Sequence, residues 1–446
     1  VETNGIGYVT LMFDLSGIEE KMLPYVGILQ SVLGIIDTTN YEYGALFNEI
    51  NVHTGGIGTS LELYADVTKV KEKEFRATFE MKGKALYPKM DVLFSMMREI
   101  LMESKLDDEK RLKEIIAMLR SRLQMSFLSS GHTTAALRAL SYTSPIAKFK
   151  DDTDGIGFYE VVKAIEEDFD GHKAELIRNL KDISRKIFRT DNLMISYTSA
   201  EQGLEPMQSA FRAVKDSFNR GAEDEGPLNT GGHSDTGLHA AEKSAETACV
   251  IHCRKRNEGF KTSSKVQYVA RAGNFIDGGA EYTGALQILK VILSYDYLWQ
   301  NVRVKGGAYG CMSNFNRIGE GYMMSYRDPN LEKTMEIYEG VVDYLENFNV
   351  DDRDMNKFII GTISNMDRPM NPAAKGSRSM NLYMNHVTEE MIKEEREQIL
   401  TAGQNDIRAL SKVLRAMLDA GQICVIGSEE KIEECREMFG EVRTLS

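Results

Sequence analysis

The sequence lacks the features by which membrane-spanning and nucleic-acid-binding proteins are usually recognised. No apolar run approaches the roughly 20 residues that a bilayer-spanning helix needs. Acidic residues outnumber basic residues by 67 to 54, which gives a formal net charge of −13. Because phosphate neutralisation requires a basic face, we expect no nucleic-acid partner and no membrane partner. The acidic surplus is typical of a solvated acidic surface, or alternatively of a protein that binds cationic partners such as basic peptides.

Cysteine is also scarce. An odd number of scattered cysteines argues against a disulfide framework and favours the cytoplasm or another reducing compartment. Two of them flank His252 in an apolar stretch, for which we predict a strand with both thiols on one face. Because no second ligand pair follows at zinc spacing, we prefer buried apolar cysteines to a metal site. The five cysteines are Cys249, Cys253, Cys311, Cys424 and Cys435.

No complete catalytic motif is present. Helical zinc sites place two histidines and a glutamate at fixed spacing, as His-Glu-x-x-His or its inversion His-x-x-Glu-His. Among the seven histidines, His172, His239 and His386 are each followed by Glu at the third position, but never by a second His. For the segment after His386 we predict instead a helix capped by Thr388. A Gly-x-Ser-x-Gly elbow and a phosphate-binding loop are also missing.

The length and composition indicate two folded units. A chain of 446 residues is too long for one compact core. The polar, Gly-rich segment 221–246 is typical of a linker or long loop. It separates a first α+β domain, residues 1–220, from a second α+β domain, residues 247–446. The chain starts at Val1 without a Met and opens directly on a strand-like run, which favours a chain cut from something longer.

The two units repeat the same order of elements. Asp-Asp, Lys and Ile-Ile recur in register at 107–116 and at 351–360, where each copy predicts a helix that starts at a capping Asp. Amphipathic helices precede both copies, and double glycines at 55–56 and 306–307 open a strand pair in each. We interpret this as gene duplication; the alternative is two unrelated helices with similar caps. The predicted fold class is α+β, with helices on one face of a mostly antiparallel sheet in each domain.

One segment, residues 297–310, has an unusual composition. It contains the chain's single Trp, at position 299, and we predict that an apolar helix ends there in Arg303 and Lys305. Gly306 and Gly307 let the chain reverse closely before a strand that starts at Tyr309. This geometry directs Arg303 and Tyr309 toward one cleft, where they offer donors to peptide carbonyls and to a developing oxyanion. The alternative is that both residues only pack.

The pattern Leu-Trp-x-x-Val-Arg-x-Lys-Gly-Gly-Ala-Tyr-Gly at 298–310 resembles the C-terminal half of pitrilysin/insulinase-type zinc peptidases, in particular the presequence-protease branch. Residues 41–63, 275–285 and 367–372 resemble the same family. The resemblance implies two halves that close around a peptide, with residues 1–220 as the third domain. It implies that zinc is held by the N-terminal half, and that Arg303 and Tyr309 bind the substrate, supported by the turn at Gly306 and Gly307. No zinc ligand is expected in this chain.

The leading hypothesis is the substrate-binding portion of a zinc metalloendopeptidase that degrades unfolded peptides in a closed chamber. Its expected partners are a peptide and a zinc-bearing N-terminal half, either covalently linked or a separate subunit. This chain alone is expected to be inactive. The alternatives are a non-catalytic peptide-binding or scaffold subunit, and an independent enzyme with an unrecognised site.

Overall fold

A computed structural model of the chain describes residues 1–219 and 250–445. The segment 221–246, interpreted above as a linker, lies outside the described residues, as does Cys249. The strands are β1 Ile6–Asp14, β2 Ile57–Ala65, β3 Phe75–Leu86, β4 Leu193–Thr198, β5 Glu258–Thr262, β6 Tyr268–Asn274, β7 Gly310–Phe315, β8 Glu320–Tyr326, β9 Gln422–Ser428 and β10 Glu441–Thr444.

The α-helices fall into two groups, one after each set of opening strands. The first group is α1 Leu23–Val32, α2 Tyr43–His53, α3 Met90–Met102, α4 Glu109–Leu140, α5 Pro145–Asp154, α6 Ile156–Glu167, α7 Phe169–Ile187 and α8 Leu204–Val214. The second group is α9 Ala285–Tyr295, α10 Glu332–Glu339, α11 Val341–Glu346, α12 Asp352–Met366, α13 Pro372–Met384, α14 Glu389–Thr401, α15 Gln404–Ala409, α16 Ser411–Asp419 and α17 Glu429–Glu434.

The first sheet is antiparallel, with the strand order β2-β3-β1-β4. Along β1, the side chains of Val9, Leu11 and Phe13 are buried, because alternate residues of a strand face the same side. In the register, Leu11 lies opposite Met81 of β3 and Ile195 of β4. This face and the helices that follow it form one apolar core.

The second sheet is mixed, with the order β10-β5-β9-β6-β8-β7. The pairs β10–β5 and β5–β9 are parallel, whereas β9–β6, β6–β8 and β8–β7 are antiparallel. Parallel strands need a crossover connection, and α17 supplies one between β9 and β10 while it packs on β5. The predicted α+β class is confirmed, with two parallel pairs in the second sheet.

Each unit sends a helix across the other unit's sheet. In the first unit, α4 bends at Ser130, which has non-helical backbone angles, and its second part lies along β6, β8 and β9. In the second unit, α13 lies over β2 and β4. Glycines permit both approaches, since a Cβ atom on Gly131 would overlap the ring of Tyr268 and one on Gly376 would overlap the side chain of Thr198. The second sheet is therefore buried on both faces.

The helix starts follow the sequence predictions closely. Asp108 accepts a hydrogen bond from the Arg111 amide (2.9 Å) at the start of α4, and Asp351 accepts one from the Asp354 amide (2.8 Å) at the start of α12. The second Asp of the repeated pair is thus the cap in the first unit, and the first Asp is the cap in the second. Thr388 caps α14 as predicted, by accepting from a backbone amide (3.2 Å).

Three local predictions were wrong. The helix expected over 331–345 divides at Gly340 into α10 and α11. The helix expected to run to residue 302 stops at Tyr295, and a separate π-helical turn follows. Residues 250–253 form no strand, because the His252 amide faces the carboxylate of Glu20 in the first unit (3.3 Å) instead of a neighbouring strand.

Candidate functional site

The predicted site is built on the π-helical turn Trp299–Val304 and the double glycine that follows it. The amide of Gly307 donates to the carbonyl oxygen of Arg303 (2.9 Å), and the amide of Ala308 donates to that of Val302 (3.1 Å). A Cβ atom on Gly306 would overlap the Val302 carbonyl oxygen, and Gly307 has φ +81°. Both glycines are therefore required by the backbone, one for space and one for its left-handed conformation.

Arg303 and Tyr309 leave this turn next to each other. The Arg303 guanidinium carbon lies 4.0 Å from the centre of the Trp299 ring and 5.9 Å from that of the Tyr309 ring. A cation over an aromatic face is attracted by the ring quadrupole. The single Trp of the chain therefore positions the guanidinium beside the phenol.

Tyr309 is unusually exposed for an aromatic residue next to a strand. Its side chain is 66% exposed, although its backbone is fixed, since the Tyr309 amide donates to the carbonyl oxygen of Tyr326 at the end of β8 (3.0 Å). The ring of Tyr326 meets the Tyr309 ring edge-on, with centroids 5.5 Å apart. The phenol is thus held on a rigid strand pair and presented to an open space.

That space is a pocket of about 470 Å³, lined by Arg303, Val304, Gly307, Ala308, Tyr309 and Arg327. The structure brings together the two residues that the sequence predicted to share a cleft. It adds Arg327, which sequence reasoning missed. A signal for it exists in the strand pairing: Gly310 lies opposite Tyr326, so the residues just outside the paired ends, Tyr309 and Arg327, adjoin.

The pocket is electropositive. In the part of the chain that the structure describes, neither Arg303 nor Arg327 has a carboxylate within the 4.0 Å that defines an ion pair. Both guanidinium groups lie on aromatic rings, of Trp299 and of Tyr326 respectively. Two uncompensated guanidinium groups and a phenol are hydrogen-bond donors for the oxygen atoms of a ligand.

The other polar candidates do not form a site. Within residues 1–219 and 250–445, no three His, Cys, Asp or Glu side chains converge to hold a metal ion, so these residues do not fit a zinc ion and we derive no step through one. His386 pairs with Asp66 (3.0 Å) at the start of the Thr388-capped helix. Burial raises the pKa of the Cys253 and Cys311 thiols to about 11, which keeps both protonated and unreactive at neutral pH.

The described helices also include none that is long and apolar enough to cross a membrane.

Comparison with known protein families supports the resemblance along both units. A family model for the region associated with M16 peptidases of subfamily C matches residues 1–165, and one described as "PreP C-terminal domain" matches residues 257–429. The second match includes the whole segment that carries Arg303, Tyr309 and Arg327.

Curated relatives align over nearly the whole chain. The chain is 35% identical over 443 residues to "Protein HypA" of Clostridium perfringens, which covers 99% of this chain and 43% of that protein. It is 28% identical to "Presequence protease 1, chloroplastic/mitochondrial" of Arabidopsis thaliana, over 99% of this chain and 39% of that protein. The chain therefore spans less than half the length of these relatives.

Solved structures share the fold at low sequence identity. A conserved protein from Enterococcus faecalis superposes with a TM-score of 0.64 at 13% identity, covering 96% of this chain and 95% of that one. A peptidase M16 inactive domain from Pseudomonas fluorescens superposes with a TM-score of 0.60 at 13% identity, covering 96% and 94%. Taken with the family models, these matches show that the chain belongs to the pitrilysin-type metallopeptidase family, in which it corresponds to the C-terminal half of a presequence-protease-like protein.

Proposed function

We propose that this chain is the substrate-binding portion of a zinc metalloendopeptidase that degrades unfolded peptides inside a closed chamber. The observation that carries the proposal is the pocket in which Arg303 and Tyr309 meet without a carboxylate partner among the described residues. The family membership and the partial coverage of longer relatives support it. The zinc ion and the attacking water are expected in an N-terminal half, either linked to this chain or separate.

Each residue has a distinct role in the proposal. Arg303 offers several donors in a fixed plane, which suits the carbonyl oxygens of an extended peptide. The Tyr309 hydroxyl offers one donor, which suits the oxyanion that develops as the scissile carbonyl becomes tetrahedral. Because Trp299 holds Arg303 and the β7–β8 pair holds Tyr309, both donors are oriented before a peptide arrives.

The contribution of Arg303 is tested by joining the chain to its zinc-bearing half and measuring cleavage of an unstructured peptide. We expect Arg303→Ala to raise KM and to lower kcat/KM by roughly tenfold or more, because hydrogen bonds to a charged group contribute about 1.5–3 kcal/mol. Arg353→Ala is the matched control, because Arg353 is exposed in the first turn of α12. Equal kcat/KM values for both variants and the unmodified protein would show that Arg303 does not bind the peptide.

A further inference from the structure

Arg327 has a backbone conformation that non-glycine residues rarely adopt. Its φ is +48°, in the left-handed region, which costs an L-residue roughly 1–2 kcal/mol. Such strain persists only where neighbouring structure imposes it, and it concentrates at functional sites. Here it directs a charged side chain into the pocket that contains Arg303 and Tyr309.

The residue after Arg327 is the anchor that imposes this conformation. Asp328 is fully buried and exchanges two backbone hydrogen bonds with Gln267 (2.7 and 2.8 Å). Its carboxylate accepts from the hydroxyl of Thr334 (2.7 Å) and from the amide of Asn330 (2.9 Å). Asp328 therefore uses its oxygens inside the fold, and it does not pair with the guanidinium of Arg327.

The same loop is tied to the glycine turn of the site. The side-chain amide of Asn330 donates to the carbonyl oxygen of Gly306 (2.6 Å), and the carbonyl oxygen of Arg327 lies 3.4 Å from the amide nitrogen of Tyr309. The loop 327–330 and the turn 303–309 are thus one rigid unit. The position of Arg327 relative to Tyr309 is part of the built pocket.

A purely structural role would leave Arg327 as a cation on an aromatic ring. Its guanidinium carbon lies 5.3 Å from the centre of the Tyr326 ring. It also lies near Tyr268, where burial raises the pKa of the phenol and Arg327 opposes that rise. An exposed cation–π contact contributes only about 0.5–1 kcal/mol, no more than the strain it would have to offset. Packing alone therefore does not explain the conformation.

We propose that Arg327 determines specificity by binding a carboxylate of the peptide, an inference that rests on the proposed function. The carbonyl oxygens of a peptide are neutral, and the donors of Arg303 and Tyr309 suffice for them. A second guanidinium in the same pocket adds a preference for a negatively charged group, which it binds through two parallel hydrogen bonds. The carboxylate belongs either to the C-terminus of the peptide or to an Asp or Glu side chain.

The experiment compares matched peptides in the chain joined to its zinc-bearing half. One pair of synthetic peptides differs only in a C-terminal carboxylate or carboxamide, and a second pair, amidated at the C-terminus, differs only in an internal Asp or Asn. For each pair, the ratio of kcat/KM values is measured in the unmodified protein, in Arg327→Gln and in the control Arg353→Gln. Circular dichroism and thermal unfolding show whether each variant is folded.

We expect the unmodified protein and Arg353→Gln to prefer the carboxylate in one pair by roughly five- to tenfold, as for a charge-assisted hydrogen bond in an open pocket. Arg327→Gln should reduce that ratio to about one and should cleave the neutral peptides nearly as fast as the unmodified protein. The pair that responds identifies the source of the carboxylate. A ratio unchanged by Arg327→Gln, with cleavage intact, overturns this inference alone, whereas no cleavage by the unmodified protein overturns the proposed function and this inference with it.

Discussion

The buried ion-pair cluster between the two units gives a quantitative prediction. Arg138 of α4 donates to Asp151 (2.5 Å) and, with two nitrogens, to both carboxylate oxygens of Glu258 at the start of β5 (2.6 and 2.9 Å). Tyr142 also donates to Glu258 (3.0 Å). Arg138 is 5% exposed, and both carboxylates are fully buried. One side chain of the first unit therefore compensates two buried charges, one of which belongs to the second unit.

The substitution Arg138→Met removes the cation and retains most of the apolar volume. Breaking a buried ion pair by removing one partner costs about 3–5 kcal/mol, because the remaining charge is left uncompensated. Arg443 lies 3.4 Å from Glu258 and is partly exposed, so it retains some compensation. We therefore expect a loss of unfolding free energy near the lower end of that range, about 3 kcal/mol.

The pH dependence of this loss follows from Glu258. Burial acts to raise its pKa, but the hydrogen bonds and charge of Arg138 outweigh burial and lower it. A lowered pKa in the folded state stabilises the protein above the unfolded value, about 4.3, and this stabilisation is lost as pH falls through the folded value. The difference between the unmodified protein and Arg138→Met should therefore narrow when pH is lowered from 7 toward 4.

The assay is urea unfolding at pH 7 and at pH 4, followed by circular dichroism. The control is the triple variant Arg138→Met, Asp151→Asn and Glu258→Gln, which removes the uncompensated charges and should regain much of the lost stability. The reasoning is refuted if Arg138→Met at pH 7 costs less than about 1 kcal/mol, the value typical of an exposed ion pair.

Two further predictions concern the turn and the interface between the units. Gly306→Ala should destabilise the protein by roughly 1–3 kcal/mol, because its Cβ atom would overlap a carbonyl oxygen as in an overpacked core; Gly361→Ala, where a Cβ atom has space, is the control and should be neutral or stabilising in thermal unfolding. Burial lowers the pKa of His132, so charging this imidazole is resisted in the folded state. The protein should lose stability as pH falls below the unfolded value of about 6.5, and His132→Gln should lose less in urea unfolding at pH 5 relative to pH 7.

Much of this fold follows from local signals in the sequence. The helix Met90–Met102 was predicted with the bounds that the structure has, because its apolar residues recur at helical spacing and a break follows it. Arg303 and Tyr309 were predicted to adjoin because only a short turn with two glycines separates them, and short-range geometry is constrained by backbone sterics.

The interactions that depend on distant parts of the chain were not predictable in the same way. Arg327 joins the pocket only through the register of β7 and β8, which the patterns of those strands do not specify. Arg138 is 120 residues from Glu258, and its role depends on how α4 bends and crosses the second sheet. The division into two domains at 221–246 stays a prediction, because that segment lies outside the described residues.

The central claim is that Tyr309 donates to the oxyanion during peptide cleavage. The most direct test is the kcat of Tyr309→Phe in the chain joined to its zinc-bearing half, compared with Tyr295→Phe, which removes a hydroxyl from a tyrosine that is 72% exposed at the end of α9. Because removing one oxyanion donor costs about 10²–10³ in kcat, we predict a loss of that size in Tyr309→Phe, little change in KM and no change in Tyr295→Phe. Equal kcat values for the two variants and the unmodified protein would contradict the account.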